Sequence, residues 1–304
     1  MTWKYFYQLT EMYTTPVDVL LLLFCASFSY YFYGSFNWLY ATWAFFIVFG
    51  MHLFLNIHNN LEDYEHATDV TDYKHSTSII GMHHLSLKMI RNWVIGMGVI
   101  IAILGLILAY FTGWPTLVIG VIGFGLGVAY SAGPRPLDST PFCELATGML
   151  IMFFDPLVYV YLGSINRHPF TWSSVWDVFL GTMFLFVLAY ITQLANNTCD
   201  LHQDIGNHRY TLVYYIGKSD AIKLFTIVFW LTILIIPILS YFGYVPLLSN
   251  LTILAYPLAW KKIKVFLTNQ SKKEVYHDIV GGVTMLMGIY IVTYMIGTLI
   301  KFFL

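Results

Sequence analysis

Asn59-Asn60-Leu61-Glu62-Asp63-Tyr64-Glu65-His66-Ala67-Thr68-Asp69 follows directly on the apolar run 37–57, and it has a partner further along the chain. The partner, Asn196-Asn197-Thr198-Cys199-Asp200-Leu201-His202-Gln203-Asp204, closes the apolar run 174–197. Each opens on an Asn-Asn pair, sets an Asp four residues after the first Asn, and adds another Asp within six more positions. Seven of the 16 acidic residues (Glu62, Asp63, Glu65, Asp69, Asp72, Asp200 and Asp204) fall in the two windows 59–72 and 196–209 that these stretches open. Solvated loop acids are the bland reading of one such motif, but two copies at the ends of apolar runs argue for carboxylates placed to hold something.

Outward from these windows, 58% hydrophobic and 10% charged residues are beyond what a soluble core uses, and they predict an all-α, polytopic membrane protein. Crossing the hydrocarbon takes about 20 apolar residues, which yields nine expected spans: 17–34, 37–57, 90–111, 115–132, 143–163, 174–197, 220–240, 244–260 and 279–303. Residues 1–16, with Trp3, Tyr5, Tyr7 and Tyr13, read as an interfacial segment. No cleaved signal peptide is expected, the first span serving as its own insertion signal. The chain reads as one integral-membrane domain, 1–304, with motif-bearing linkers 58–89 and 198–219. Cys25, Cys143 and Cys199 are widely spaced and indicate neither a disulfide framework nor a zinc site. His58, His66, His83, His84 and His202 likewise lack ligand spacing. No nucleic-acid partner is expected.

If the N-terminus is cytoplasmic, every Lys and Arg except Arg167 and Lys301 falls inside, which is 13 of 15. The positive-inside rule then predicts a multi-pass cell-membrane protein with its N-terminus in and its C-terminus out. Both acidic windows share the cytoplasmic face. The lysines of the linker 261–278 read as topogenic charges facing anionic lipid.

Residues four apart share a helix face, so Asn59 aligns with Asp63, and Asn196 with Asp200 and Asp204, provided each helix runs past the membrane surface. Asp69 lies roughly 120° off the Asp63 face, so the first helix is expected to end or bend before it. Carboxylates assisted by amide oxygens suit Mg²⁺, which keeps part of its shell for water and phosphate. Two such clusters facing each other would hold a metal-bridged diphosphate, with Asn59, Asp63, Asp69, Asn196, Asp200 and Asp204 as candidate ligands. Arg135 and Arg209, with Lys74, are candidates for its free oxygens, since guanidinium matches phosphate bidentately.

With Tyr130-Ser131-Ala132-Gly133-Pro134-Arg135-Pro136-Leu137 added to the two motifs and to Arg209-Tyr210-Thr211-Leu212, the sequence resembles the UbiA-type intramembrane aromatic prenyltransferases. Pro141-Phe142-Cys143-Glu144-Leu145-Ala146-Thr147-Gly148 and the second Asn-Asn resemble the 1,4-dihydroxy-2-naphthoate polyprenyltransferases among them. Two departures stand out: Asn60 replaces an Asp usual in the first motif, and Arg209 replaces a common Lys.

The resemblance implies a nine-helix bundle around a cavity that opens to the cytoplasm and laterally to lipid. It implies Mg²⁺-dependent transfer of a polyprenyl group from a polyprenyl diphosphate to 1,4-dihydroxy-2-naphthoate with loss of CO₂, giving a demethylmenaquinone. Asp63, Asp69, Asp200 and Asp204 would be the catalytic carboxylates, with Tyr130 and Ser131 beside the diphosphate. Glu144 and the mid-span Asp155 are candidates for the acceptor pocket; an intramembrane carboxylate is expected to face a cavity or a partner, and Pro156 after it to break the helix ladder. Gly120, Gly123, Gly125 and Gly127 are expected at close helix contacts. The alternatives are another acceptor such as 4-hydroxybenzoate, or a transporter or lipid-binding membrane protein.

Overall fold

The computed structural model describes residues 2–68 and 73–303, and among them the regular structure is entirely helical. A short helix α1 (Trp3–Leu9) is followed by α2 (Pro16–Tyr33), α3 (Trp38–His66), α4 (Leu87–Thr112), α5 (Trp114–Ser131), α6 (Cys143–Ser164), α7 (Trp172–Gly206) and α8 (Lys218–Tyr241). The chain closes with α9 (Tyr256–Ile263) and α10 (Lys272–Phe303). Eight of these, α2 to α8 and α10, are long and apolar enough to cross a membrane.

The ninth expected span, 244–260, takes another form. A nine-residue 3-10 stretch, Leu247–Ala255, leads into the eight-residue α9 and a further 3-10 turn, Lys264–Leu267. A 3-10 helix climbs about 2.0 Å per residue against about 1.5 Å for an α-helix, so this segment still rises ~30 Å. Periodicity counts residues and misses the change of winding.

The two spans that carry the acidic motifs are longer than the apolar runs suggest. α3 has 29 residues and α7 has 35, or ~44 and ~52 Å of helix, against a hydrocarbon thickness of about 30 Å. Both motifs therefore stay helical beyond the apolar region. α3 stops at His66, and Ala67 turns to extended backbone with ψ 135°, so the first helix does end ahead of Asp69. Asp69 and Asp72 lie outside the described residues.

The most buried of the long helices is α7, which packs against α6, α8 and α10. At Gly181 the ring of Phe28 lies so close that an added Cβ would sit 2.2 Å from its Cε2, which brings α2 onto α7. The small-residue stripe expected on α5 is narrower than its sequence. A Cβ at Gly127 would meet Leu55 of α3 at 2.8 Å and one at Gly123 would touch Phe154 at 3.9 Å, but nothing lies within 4 Å of Gly120 or Gly125.

α6 is broken where Pro156 predicts. Residues Leu150–Phe154 are wound as a π turn between α-helical Cys143–Met149 and Asp155–Ser164. The proline ring crowds the carbonyl one turn earlier, and the wider turn relieves that clash. The N-terminal segment lies across α3, held by Asn56 Nδ2 donating to Thr10 O at 3.0 Å and Asn60 Nδ2 donating to Leu9 O at 3.2 Å.

Candidate active site

The two acidic helix ends converge, and Arg209 is where they meet. Beyond Gly206 the chain reverses through His208, which adopts a left-handed φ of 59°, and the Arg209 N–H donates to Asp204 O at 2.8 Å. That reversal aims the guanidinium back along α7. Its Nη1 donates to Asp63 Oδ1 of α3 at 3.3 Å, its Nε lies 3.6 Å from Asp204 Oδ1, and its Nη2 lies 3.8 Å from Asp138 Oδ2. Burial works against a charged guanidinium, but the Asp63, Asp138 and Asp204 carboxylates outweigh it and hold the Arg209 pKa above its ordinary value. Burial likewise raises Asp138, while Arg209 and the Ser139 hydroxyl, which donates to it at 2.8 Å, pull it back.

Backbone ties fix the same convergence. Thr68 N–H donates to Asn207 Oδ1 at 3.0 Å, and Thr68 Oγ1 donates to Gly206 O. Tyr210 N–H donates to Ser139 O at 3.2 Å, joining the α5–α6 loop to the chain beyond α7.

The asparagine pairs divide their labour. Asn59 faces the site, accepting from Ser131 Oγ at 2.7 Å, with its Nδ2 3.5 Å from Asp63 Oδ2. Its neighbour Asn60 faces away and donates to both Leu9 O and Asn56 O. An Asp at this position has no proton to donate, so the departure at Asn60 has a structural cause. In the second pair Asn196 is partly exposed and has no hydrogen bond among the described residues, while buried Asn197 donates to Glu144 Oε1 at 2.9 Å and accepts from Gln193 at 3.1 Å. Glu144 is fully buried, and its Oε2 has no hydrogen-bond partner among the described residues. The Tyr130 hydroxyl, beside this group, bonds Thr147 Oγ1 at 3.1 Å and lies 3.4 Å from Cys143 Sγ.

Asp200 forms an ion pair with Lys272 at the start of α10. The other basic candidates stand apart: Lys74 Nζ lies 5.8 Å from the Tyr64 ring centroid, and Arg135 is exposed with no ion pair among the described residues. Asp155 keeps accessible surface halfway along α6, has no hydrogen-bond partner among the described residues, and lies within electrostatic reach of Asp18 on α2.

Asp63, Asp200 and Asp204 are thus each engaged by a cation of the chain itself, and among the described residues no three His, Cys, Asp or Glu side chains are already disposed around a metal position. The donor set nevertheless fits a hard divalent cation. It is oxygen-only, and Asp204 Oδ2 is buried without a hydrogen-bond partner among the described residues, so a lone pair is held ready in the site.

Sequence reading missed Asp138, Asn197, Lys272 and Glu11. Asp138 sits one residue past the Tyr130–Leu137 motif, and its 3% exposure was the signal that only packing supplies. Glu11, within electrostatic reach of His52, Lys272 and Asp63, has its carboxyl raised by burial and a left-handed φ of 48°.

This fold and these converging carboxylates define a polytopic helical membrane protein with an oxygen-rich site at the ends of two of its long helices. The UbiA prenyltransferase family matches residues 19–280, and the chain belongs to that family. The 1,4-dihydroxy-2-naphthoate octaprenyltransferase of Bacillus subtilis (strain 168) is 25% identical over 171 residues, covering 56% of this chain and 52% of the relative. The aligned region thus spans about half the length of that relative. Among solved structures, a digeranylgeranylglyceryl phosphate synthase aligns over 97% of this chain and 98% of its own, with a TM-score of 0.61 and 15% identity. A UbiA homolog from Archaeoglobus fulgidus, bound to GPP and Mg²⁺, aligns over 95% and 99% with a TM-score of 0.58 and 13% identity. At these identities the two structures are shared folds.

Proposed function

We propose that this protein transfers a polyprenyl group from an allylic polyprenyl diphosphate to 1,4-dihydroxy-2-naphthoate, with loss of CO₂, in a Mg²⁺-dependent reaction at the cytoplasmic face of a cell membrane. The observation that carries this reading is the convergence of α3 and α7, whose Asp63 and Asp204 both reach one guanidinium. A diphosphate placed there would meet carboxylates from both motifs. The naphthoate acceptor is supported by the Bacillus subtilis relative and by buried Glu144 in the segment that resembles the naphthoate enzymes.

Asn59, Asp63, Asn196, Asp200 and Asp204 would hold the magnesium, with Asp69 as a further ligand. When bound, Mg²⁺ supplies charge neutralisation to the departing diphosphate. Arg209 holds Asp63 and Asp204 at fixed separation, so the negative oxygens are oriented before substrate arrives. The amide of Asn59 is set by Ser131, which donates to its oxygen and leaves its Nδ2 toward Asp63. The apolar cavity that the family resemblance implies would exclude water from the allylic cation that forms when the C–O bond breaks. Tyr130 stands at the end of α5 to offer its ring to that cation. The carboxylated ring carbon then attacks the cation with a π electron pair, and CO₂ leaves from that carbon, its bonding pair returning to the ring to restore aromaticity. Asp155 and Glu144 would line the acceptor side of the cavity.

Purified protein in lipid, given an allylic polyprenyl diphosphate, dihydroxynaphthoate and Mg²⁺, is expected to release CO₂ and form a prenylated naphthoquinol; chelation of the metal should stop both. Turnover with 4-hydroxybenzoate and no CO₂ would reassign the acceptor. No turnover with any phenolic acceptor would return the protein to the transporter or lipid-binding class.

A further inference from the structure

The segment 261–278, from the end of α9 to the start of α10, carries a cluster of lysines that sequence reading assigns to topology, and one of them behaves differently. Lys272 forms an ion pair with Asp200 of the second motif. Lys261, Lys262, Lys264 and Lys273 form none among the described residues. The turn that delivers Lys272 is built for the purpose: Asn269 Oδ1 accepts from Ser271 N–H at 2.9 Å, and Asn269 Nδ2 donates to Glu274 Oε2 at 2.6 Å. Val275 and Ile279, on the same face of α10 as Lys272, are buried at 2% and 0% exposure and anchor that face to the bundle. The Lys272 stem lies along Tyr276, with Nζ 5.6 Å from the ring centroid. Its charge lies within electrostatic reach of Asp63, Asp204 and Glu11 as well as Asp200. The side chain nevertheless keeps 46% exposure, which leaves its four-carbon stem free to swing.

We propose that Lys272 is a diphosphate-binding residue supplied by the last helix, which surrenders Asp200 to the divalent cation and turns its ammonium to the diphosphate that arrives with it. This rests on the prenyl-diphosphate reading of the site. The physical basis is competition for one set of lone pairs. An ammonium and a divalent cation cannot both occupy the same Asp200 oxygen, and the doubly charged ion binds it more strongly. The displaced ammonium is a compact point charge with three donors on a flexible stem, and diphosphate oxygens are the strongest acceptors the site would contain. Arg209 is tied to three carboxylates, which leaves Lys272 as the basic side chain at the acids with freedom to move.

The proposal predicts effects of opposite sign. Lys272→Met should bind Mn²⁺ alone, read by electron paramagnetic resonance, about threefold or more tightly, because Asp200 loses its competitor. At saturating Mn²⁺ the same variant should bind inorganic pyrophosphate about tenfold or more weakly by calorimetry, the scale of one charged hydrogen bond. Lys273→Met, one residue away and exposed, should stay within about twofold on both. In the wild-type protein, acylation followed by mass spectrometry should find Lys272 protected relative to Lys273, deprotected by Mn²⁺ alone, and protected again by Mn²⁺ with pyrophosphate. This second measurement stands if Lys272→Met fails to fold. Wild-type binding of Mn²⁺ and pyrophosphate with both Lys272→Met affinities unchanged, or shifted in the same direction, would overturn the role of Lys272 alone. Failure of the wild-type protein to bind pyrophosphate with Mn²⁺ would overturn the prenyl-diphosphate reading and this role with it.

Discussion

The ends of α3 and α7 carry nearly the same text, Asn-Asn-x-x-Asp, and use it differently. On α3 the first asparagine faces the site and the second holds the N-terminal segment. On α7 the first is free of hydrogen bonds among the described residues and the second is buried against Glu144. Adjacent helical residues point about 100° apart, so what each one meets depends on the neighbours that surround its helix. α3 has the N-terminal segment beside it, whereas α7 has α6. A repeated motif therefore marks two sides of one site without making them equivalent. The charge partners differ too: Asp63 and Asp204 share Arg209, while Asp200 is paired with Lys272.

That asymmetry can be probed by substitution, and the largest effect should come where the two motifs agree. Asp63→Asn and Asp204→Asn should each lower prenyl transfer ~1,000-fold or more, with the proteins still inserting and eluting as single species. Retained turnover in both would place the metal elsewhere. Arg209→Ala removes the group that both motifs share, leaving three carboxylates facing one another. It should lower activity ~100-fold and destabilise the protein by about 3–5 kcal/mol, as loss of one partner from a buried ion pair does. Thermal unfolding in detergent alongside the transfer assay would check this, and an unchanged midpoint would show the two ends are held together by other means.

Smaller effects separate the asparagines. Asn197→Ala leaves buried Glu144 without its donor and should lose about 1–3 kcal/mol, whereas Asn196→Ala should change stability by less than about 0.5 kcal/mol. Equal losses in thermal unfolding would erase the distinction drawn between them. Asn60→Ala should lose about 1 kcal/mol and speed proteolysis within residues 2–15. Asn60→Asp should do more, because a carboxylate would face the Leu9 and Asn56 carbonyls; unchanged cleavage would mean the segment is held by its other ties, Asn56 to Thr10 and His52 to Thr14.

Much of the site was legible because its signals are local. An acid in an apolar chain is conspicuous, and four-residue spacing on a helix needs no knowledge of the fold, so Asn59, Asp63, Asp200 and Asp204 could be singled out unaided. Lys272 and Asp138 could not. Lys272 sits among other lysines of one linker, and only the Asn269–Glu274 turn with the anchored face of α10 distinguishes it. The segment 244–260 shows the same limit in the backbone. Its apolar composition is visible, but the 3-10 winding of Leu247–Ala255 is not.

Composition and periodicity by themselves determined the membrane bundle and the pair of acidic helix ends, since burying apolar stripes and avoiding stray charge are demands met residue by residue. Tertiary structure alone decided which asparagine of each pair faces inward, that Arg209 would bridge Asp63, Asp138 and Asp204, and that a lysine from the final helix would reach Asp200. Those outcomes depend on the direction in which each side chain leaves its helix and on what packs opposite. Residues as far as 146 positions apart acquire that relation only when the helices are assembled.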